Sequence, residues 1–86
     1  MTYREQLQFR TVLKWNDKIV CNADTTAAMA YNLARNHIAE NFVHNNPLDA
    51  MRTPLAAIQT LTLGQIVRDE HSDETGKASW YVERIS

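Results

Sequence analysis

From Leu7 to Trp15 the odd positions read Leu, Phe, Thr, Leu and Trp, while the even ones read Gln, Arg, Val and Lys. An apolar residue at every second position marks a strand with one buried face, and Val12 alone breaks the alternation. Asn16-Asp17-Lys18 is a turn cluster, and Ile19-Val20-Cys21-Asn22-Ala23 resumes as a second strand, so the two form a hairpin. A three-residue loop at 16–18 would oppose Trp15 to Ile19, Leu13 to Cys21 and Thr11 to Ala23, with all the apolar partners on one face. A two-residue loop would set Lys14 against Ile19, so the hydrophobic pattern predicts the longer loop.

The period then changes from two to between three and four. Asp24, Thr25 and Thr26 offer helix-capping side chains, and the next twenty residues contain neither glycine nor proline. Ala27, Ala30, Tyr31, Ala34, Ile38 and Phe42 share one helical face. Its three alanines allow close approach to a sheet, with Leu33, Ile38 and Phe42 filling the flanks. Asn45-Asn46-Pro47 stops this helix, and Thr53-Pro54 reads as a cap and first position of one short turn at 54–59. Leu61, Leu63 and Val67 alternate with Thr62, Gly64 and Arg68, which predicts a third strand with a bulge at Gly64. Glu70 to Lys77 reads as an acidic loop, and Ala78, Trp80 and Val82 alternate with Ser79, Tyr81 and Glu83 in a fourth strand. The expected fold is α+β, a ββαββ domain with one main helix on an antiparallel sheet of two hairpins.

Length and charge narrow the picture. Eighty-six residues provide for one domain spanning 1–86. A chain this short has a thin stability margin, which a partner or second copy can widen. Nine Lys and Arg against ten Asp and Glu leave a net charge of −1, so no global field draws the chain to nucleic acid or an anionic membrane. Cys21 is the only cysteine, which excludes an intrachain disulfide and suits a reducing cytoplasm. The N-terminal residues carry no apolar signal segment, and no stretch approaches a membrane span, so neither export nor insertion is expected.

Candidate chemistry is sparse. His37, Glu40 and His44 recur three and four apart, but Asn41 stands where an H-x-x-E-H zinc site has its second histidine, and solvated helix-end residues are expected. Asp69, His71, Asp73 and Glu74 could gather oxygen ligands, yet lack an EF-hand pattern and read as a solvated loop. Cys21 falls on the inward side as a small core residue. Two glycines cannot easily build a phosphate cradle, and no acid–base pair or nucleophile elbow is present, so the expectation is a protein that is not an enzyme and holds no cofactor or metal.

Binding is the remaining class. Arg10, Lys14 and Lys18 are expected on the polar side of the first hairpin, where a basic ribbon could follow a phosphate backbone. The polar face of an ordinary antiparallel sheet accounts for them equally well. Tyr3, Tyr81 and Ile85 fall off the expected core faces, and exposed aromatics mark interfaces. With Asp69, Glu70, Asp73 and Glu74 they make a candidate contact surface for another protein or protein complex. Were the fourth strand an edge, it could pair with a second copy in a homodimer.

The passage from Ile19 to Ala34, a strand ending in Ala23, threonine caps at 25 and 26 and alanines four apart, resembles the strand-into-helix passage of small phage and prophage proteins, some anti-CRISPR proteins among them. The resemblance covers about a fifth of the chain and carries no residue roles. It implies a small inhibitor or modulator that occupies a surface on a host defence or nucleic-acid machine in the host cytoplasm. Direct nucleic-acid binding and a homo-oligomeric structural subunit are the alternatives.

Overall fold

The computed structural model describes residues 7–41 and 53–86. The elements run β1 (Phe9–Trp15), β2 (Lys18–Thr25), α1 (Ala27–Asn41), α2 (Leu55–Gln59), β3 (Ile66–Asp73) and β4 (Gly76–Arg84). The strands form one antiparallel sheet in the order β2-β1-β4-β3, with α1 packed on one face. The ββαββ expectation holds, and the short turn expected at 54–59 is α2. No helix among the described residues is long and apolar enough to cross a membrane.

Alternation explains which face the helix covers. Phe9, Thr11 and Leu13 of β1 and Ala78, Trp80 and Val82 of β4 point the same way and are buried against Ala30, Ala34 and Ile38 of α1 and Ile58 of α2. Ala30 and Ala34 are both wholly buried, as the close approach of α1 to the sheet requires. Thr26 caps α1, its hydroxyl accepting the Met29 N–H at 3.1 Å. Thr25 is buried instead, its hydroxyl 3.0 Å from that of Thr11, so two polar groups on the covered face satisfy each other. The short helix α2 is preceded by Pro54 in extended conformation, with no side-chain cap, so Thr53 does not take the capping role its position suggested.

Several expectations are corrected. The first hairpin closes through two residues, not three. Asn16 and Asp17 adopt positive φ of 50° and 70°, so Trp15 opposes Lys18 and Lys14 opposes Ile19. The hydrophobic register is recovered because Val20 bulges out of the ladder and returns Leu13 to Cys21 and Thr11 to Ala23. Two contacts hold the tip against β4: the Asn16 N–H donates to the Lys77 carbonyl at 2.8 Å, and the Lys77 N–H donates to Asn16 Oδ1 at 2.9 Å.

The third strand starts at Ile66 rather than near Leu61. Thr62 to Gln65 form a turn, with Gly64 at φ 85° and the Gln65 N–H donating to the Thr62 carbonyl. The apparent alternation of Leu61 and Leu63 is not that of a strand: Leu61 precedes this turn and packs against the core, whereas Leu63 within it is exposed. The acidic loop also contracts: β3 continues to Asp73, only Glu74 and Thr75 remain as the turn, and Asp69, Glu70 and Asp73 are strand residues.

The fourth strand is interior, flanked by β1 and β3, so it is not available for pairing with a second copy. The edges are β2, bent by the Val20 bulge, and β3, where Asp69 Oδ1 accepts the Glu70 N–H at 2.8 Å. Bulges and charged residues on edge strands hinder sheet extension between copies.

Candidate partner-binding face

The side of the sheet away from α1 carries the even residues of β1 and β3 and the odd residues of β4. Cross-strand partners share a face, so the register places the side chains directly. Tyr81 stands between Val12 on β1 and Arg68 on β3, and Ser79 stands between Lys14 and Glu70. Val12, the residue that broke the alternation, is only 1 % exposed on this side. This face therefore has an apolar centre of Val12 and half-buried Tyr81, ringed by charges.

An open groove of about 550 Å³ runs over this region, lined among others by Lys14, Arg68, Glu70, Lys77, Ser79 and Tyr81. The Lys14 ammonium lies 5.9 Å from the centroid of the Tyr81 ring, within cation–π range. At the hairpin end, Lys77 Nζ is 2.9 Å from Asp17 and 4.0 Å from Glu70. The hydrogen bond and charge of Lys77 lower the Asp17 carboxyl below its ordinary value, and the same contacts raise the Lys77 ammonium above its own. Asp73 is lowered too, chiefly by the Thr75 hydroxyl and then the Thr75 N–H, both donating to its Oδ1.

The residues singled out from sequence are brought together only in part. Lys14, Glu70 and Tyr81 meet on the open face. Arg10 shares that face but is engaged by Asp24 at 3.4 Å. Lys18 does not join Arg10 and Lys14: the two-residue turn sets it opposite Trp15, on the other side of the sheet. The expected basic ribbon is thus broken by an ion pair and a change of face. Asp69 and Asp73 alternate away from Glu70 along β3, Asp69 still contributing to the groove's lining, and Glu74 is at the turn. Ile85 follows β4, its N–H donating to the Gln8 carbonyl at 2.8 Å. Tyr3, Phe42, His44 and the stop at 45–47 lie outside the described residues.

Two contributors went unmarked in the sequence reading. Arg68 enters the groove because the two-residue turn at Glu74 and Thr75 sets the β3–β4 register that places it opposite Tyr81. His37 is not a solvated helix-end residue but is buried, at 7 % exposure. Its Nε2–H donates to the Lys14 carbonyl at 2.8 Å, while the Asn41 amide donates to Nδ1 at 3.3 Å and to the His37 carbonyl at 2.7 Å. The imidazole thus ties α1 to the backbone of the strand that presents Lys14. A signal existed: His37 lies three residues after Ala34 and adjoins Ile38, on the border of the apolar stripe.

Cys21 is half-buried against the core, close to the inward placement expected of it. Among the described residues, no three His, Cys, Asp or Glu side chains gather as a metal site would require. Comparison with family models, with curated proteins and with solved structures finds no match to the chain.

Proposed function

We propose that this domain is a non-catalytic binding protein that acts by covering a surface on another protein or protein complex through the open face of its sheet. The observation that carries this reading is the groove over Tyr81. A half-buried aromatic stands beside buried Val12, within a rim of both charge signs, on the sheet face that no helix of the described residues covers. An apolar centre inside a polar rim is the anatomy of a protein interface, and tyrosine is among the residues that dominate interface energy. A phage-type inhibitor or modulator of a host defence or nucleic-acid machine, working in the cytoplasm, is the specific form of this proposal suggested by the resemblance of residues 19–34.

Nucleic-acid binding through the first hairpin is the weaker reading. Arg10 is neutralised by Asp24, Lys18 faces the opposite side, and Glu70 and Glu83 interrupt the cations of the open face. A continuous run of phosphates would meet carboxylates at each step.

The test is a pull-down from host lysate with tagged wild-type chain and Tyr81→Ala side by side, each with and without nuclease. The expected result is a protein retained by wild type after nuclease treatment and depleted at least about tenfold with Tyr81→Ala, the loss of an interface anchor. Circular dichroism of the variant verifies that the fold persists. A partner that disappears with nuclease, or one that ignores the tyrosine, overturns the proposal.

A further inference from the structure

The groove's charges divide into those already matched and those left unmatched, and the division says what a partner must bring. On the carboxylate side, Asp17 and Glu70 share Lys77, at 2.9 and 4.0 Å. Asp69 accepts the Glu70 N–H. Arg10, further along the same face, holds Asp24. Two cations form no salt bridge among the described residues: Lys14, which meets the Tyr81 ring and acts only at longer range on the Asp17 carboxyl, and Arg68.

These two cations stand on either side of one aromatic residue. Arg68 is directly opposite Tyr81 on β3, and Lys14 is one step along β1 on the other flank. Strands two apart are separated by about 10 Å, and both side chains are long enough to converge on one group above the ring. The Ser79 hydroxyl lies beside Lys14 in register.

We infer, building on the protein-binding reading above, that the groove receives an acidic segment of the partner protein, with a side-chain carboxylate seated between Lys14 and Arg68 above Tyr81. A guanidinium presents a planar fork that matches a carboxylate, and the ammonium supplies a second, adjustable donor. Pairing there supplies a close counter-charge to two cations that form no salt bridge among the described residues. The occupant is an isolated acidic side chain or two on an extended segment, not a polyphosphate. Glu70 and Glu83 flank Arg68 on the same face, where they would repel a strand whose backbone carries a phosphate at every step, whereas an extended peptide turns every second side chain away from the sheet.

The experiment is an amide NMR titration of the isotope-labelled chain with three probes: an end-blocked hexaglutamate peptide, an end-blocked hexalysine peptide and a ten-nucleotide deoxythymidine strand. The expected result is shifts at Lys14, Arg68, Ser79 and Tyr81 with hexaglutamate, with an apparent Kd weakened about tenfold by Arg68→Glu and by raising the salt from 0.05 to 0.5 M. Arg68→Gln is the milder second variant, expected to weaken binding about threefold while leaving the spectrum folded. Hexaglutamate shifts that miss these four residues, or are untouched by Arg68→Glu, overturn the inference. So does stronger binding of the deoxythymidine strand at the same residues. Failure here with the Tyr81-dependent partner still captured after nuclease sinks the acidic-segment inference alone; loss of that capture as well sinks the protein-binding reading with it.

Discussion

Trp80 and Tyr81 are neighbours on β4, and the pleat sends one to each side of the same sheet. Trp80 lies under the helices at 3 % exposure and belongs to the core of Phe9, Leu13, Ala34 and Ile58. Tyr81 lies on the uncovered face, with a buried valine on one side and an arginine on the other. The two aromatics have similar bulk and the same backbone, so their difference isolates what the covering helix contributes. On the covered side apolar surface is matched to its own chain; on the open side an apolar centre and two cations have no helix of the described residues over them.

The largest expected effect lies on the covered side. Trp80→Ala removes a buried aromatic from the centre of a small core, at a cost of about 3 to 5 kcal/mol, and much of a domain this size's margin goes with it. Tyr81→Ala is expected to cost about 1 kcal/mol, since the ring is only half withdrawn from water. Urea denaturation of both variants measures the contrast. Equal losses from the two would show that the open face is a second structural core, and would remove the reason to treat Tyr81 as an anchor for a partner.

A smaller effect tests the link between the faces. His37 reaches from α1 to the Lys14 carbonyl, and Lys14 then projects onto the open side. His37→Ala leaves that carbonyl without its donor and opens a small cavity, for an expected loss of about 1 to 3 kcal/mol. His37→Gln, whose amide can still donate, is expected to recover part of it. Thermal melts of the two variants make the comparison. An alanine variant as stable as wild type would mean that the bond contributes nothing to docking the helix.

The covered face was legible in the sequence and the open face was not, for physical reasons. Burial of one side imposes a period, so β1, β4 and the alanine stripe of α1 could be read directly from apolar spacing. The half of β2 beyond the bulge was also legible, because Cys21 and Ala23 must face the core whatever the turn does. The turn itself was misread: hydrophobic register favours three residues, whereas the structure satisfies the same register with two left-handed residues and a bulge at Val20. On β3, an edge strand, only Val67 and three polar residues alternate toward the helix side, so no apolar period announces it. Leu61 and Leu63 supplied a false one. Arg68 joins the site through the β3–β4 register, which the two-residue turn at 74–75 sets and the longer acidic loop expected there would not, and a site made of unmatched charges has no spacing rule of its own. It becomes visible only after each charge has been assigned its partner.

The smallest effect concerns the charges that are matched. Asp17 and Asp73 have carboxyls lowered from an ordinary 3.8, by Lys77 in one case and by Thr75 in the other. A group whose pKa is depressed by folding contributes stability above its unfolded value and loses it as pH falls through the folded one. Both contributions are therefore present at neutral pH and fade as the pH drops below about 4. Lys77 works in the opposite sense. Its raised pKa contributes fully below the ordinary lysine value of 10.5 and is lost as pH rises through the folded one, so the Asp17–Lys77 bridge is intact across the whole neutral range. Both partners are solvent-exposed, which keeps the effect modest. Asp17→Asn should lower stability slightly at pH 7 and flatten the decline between pH 5 and 2, as followed by urea midpoints at each pH. The turn makes this a sharp test, because asparagine tolerates the φ of 70° at that position as well as aspartate does. A variant that keeps the wild-type acid slope would place the acid-sensitive contact elsewhere, with Asp73→Asn next in line, and would show that the hairpin tip is held by the hydrogen bonds of the Asn16 N–H and Oδ1 to the Lys77 backbone and not by charge.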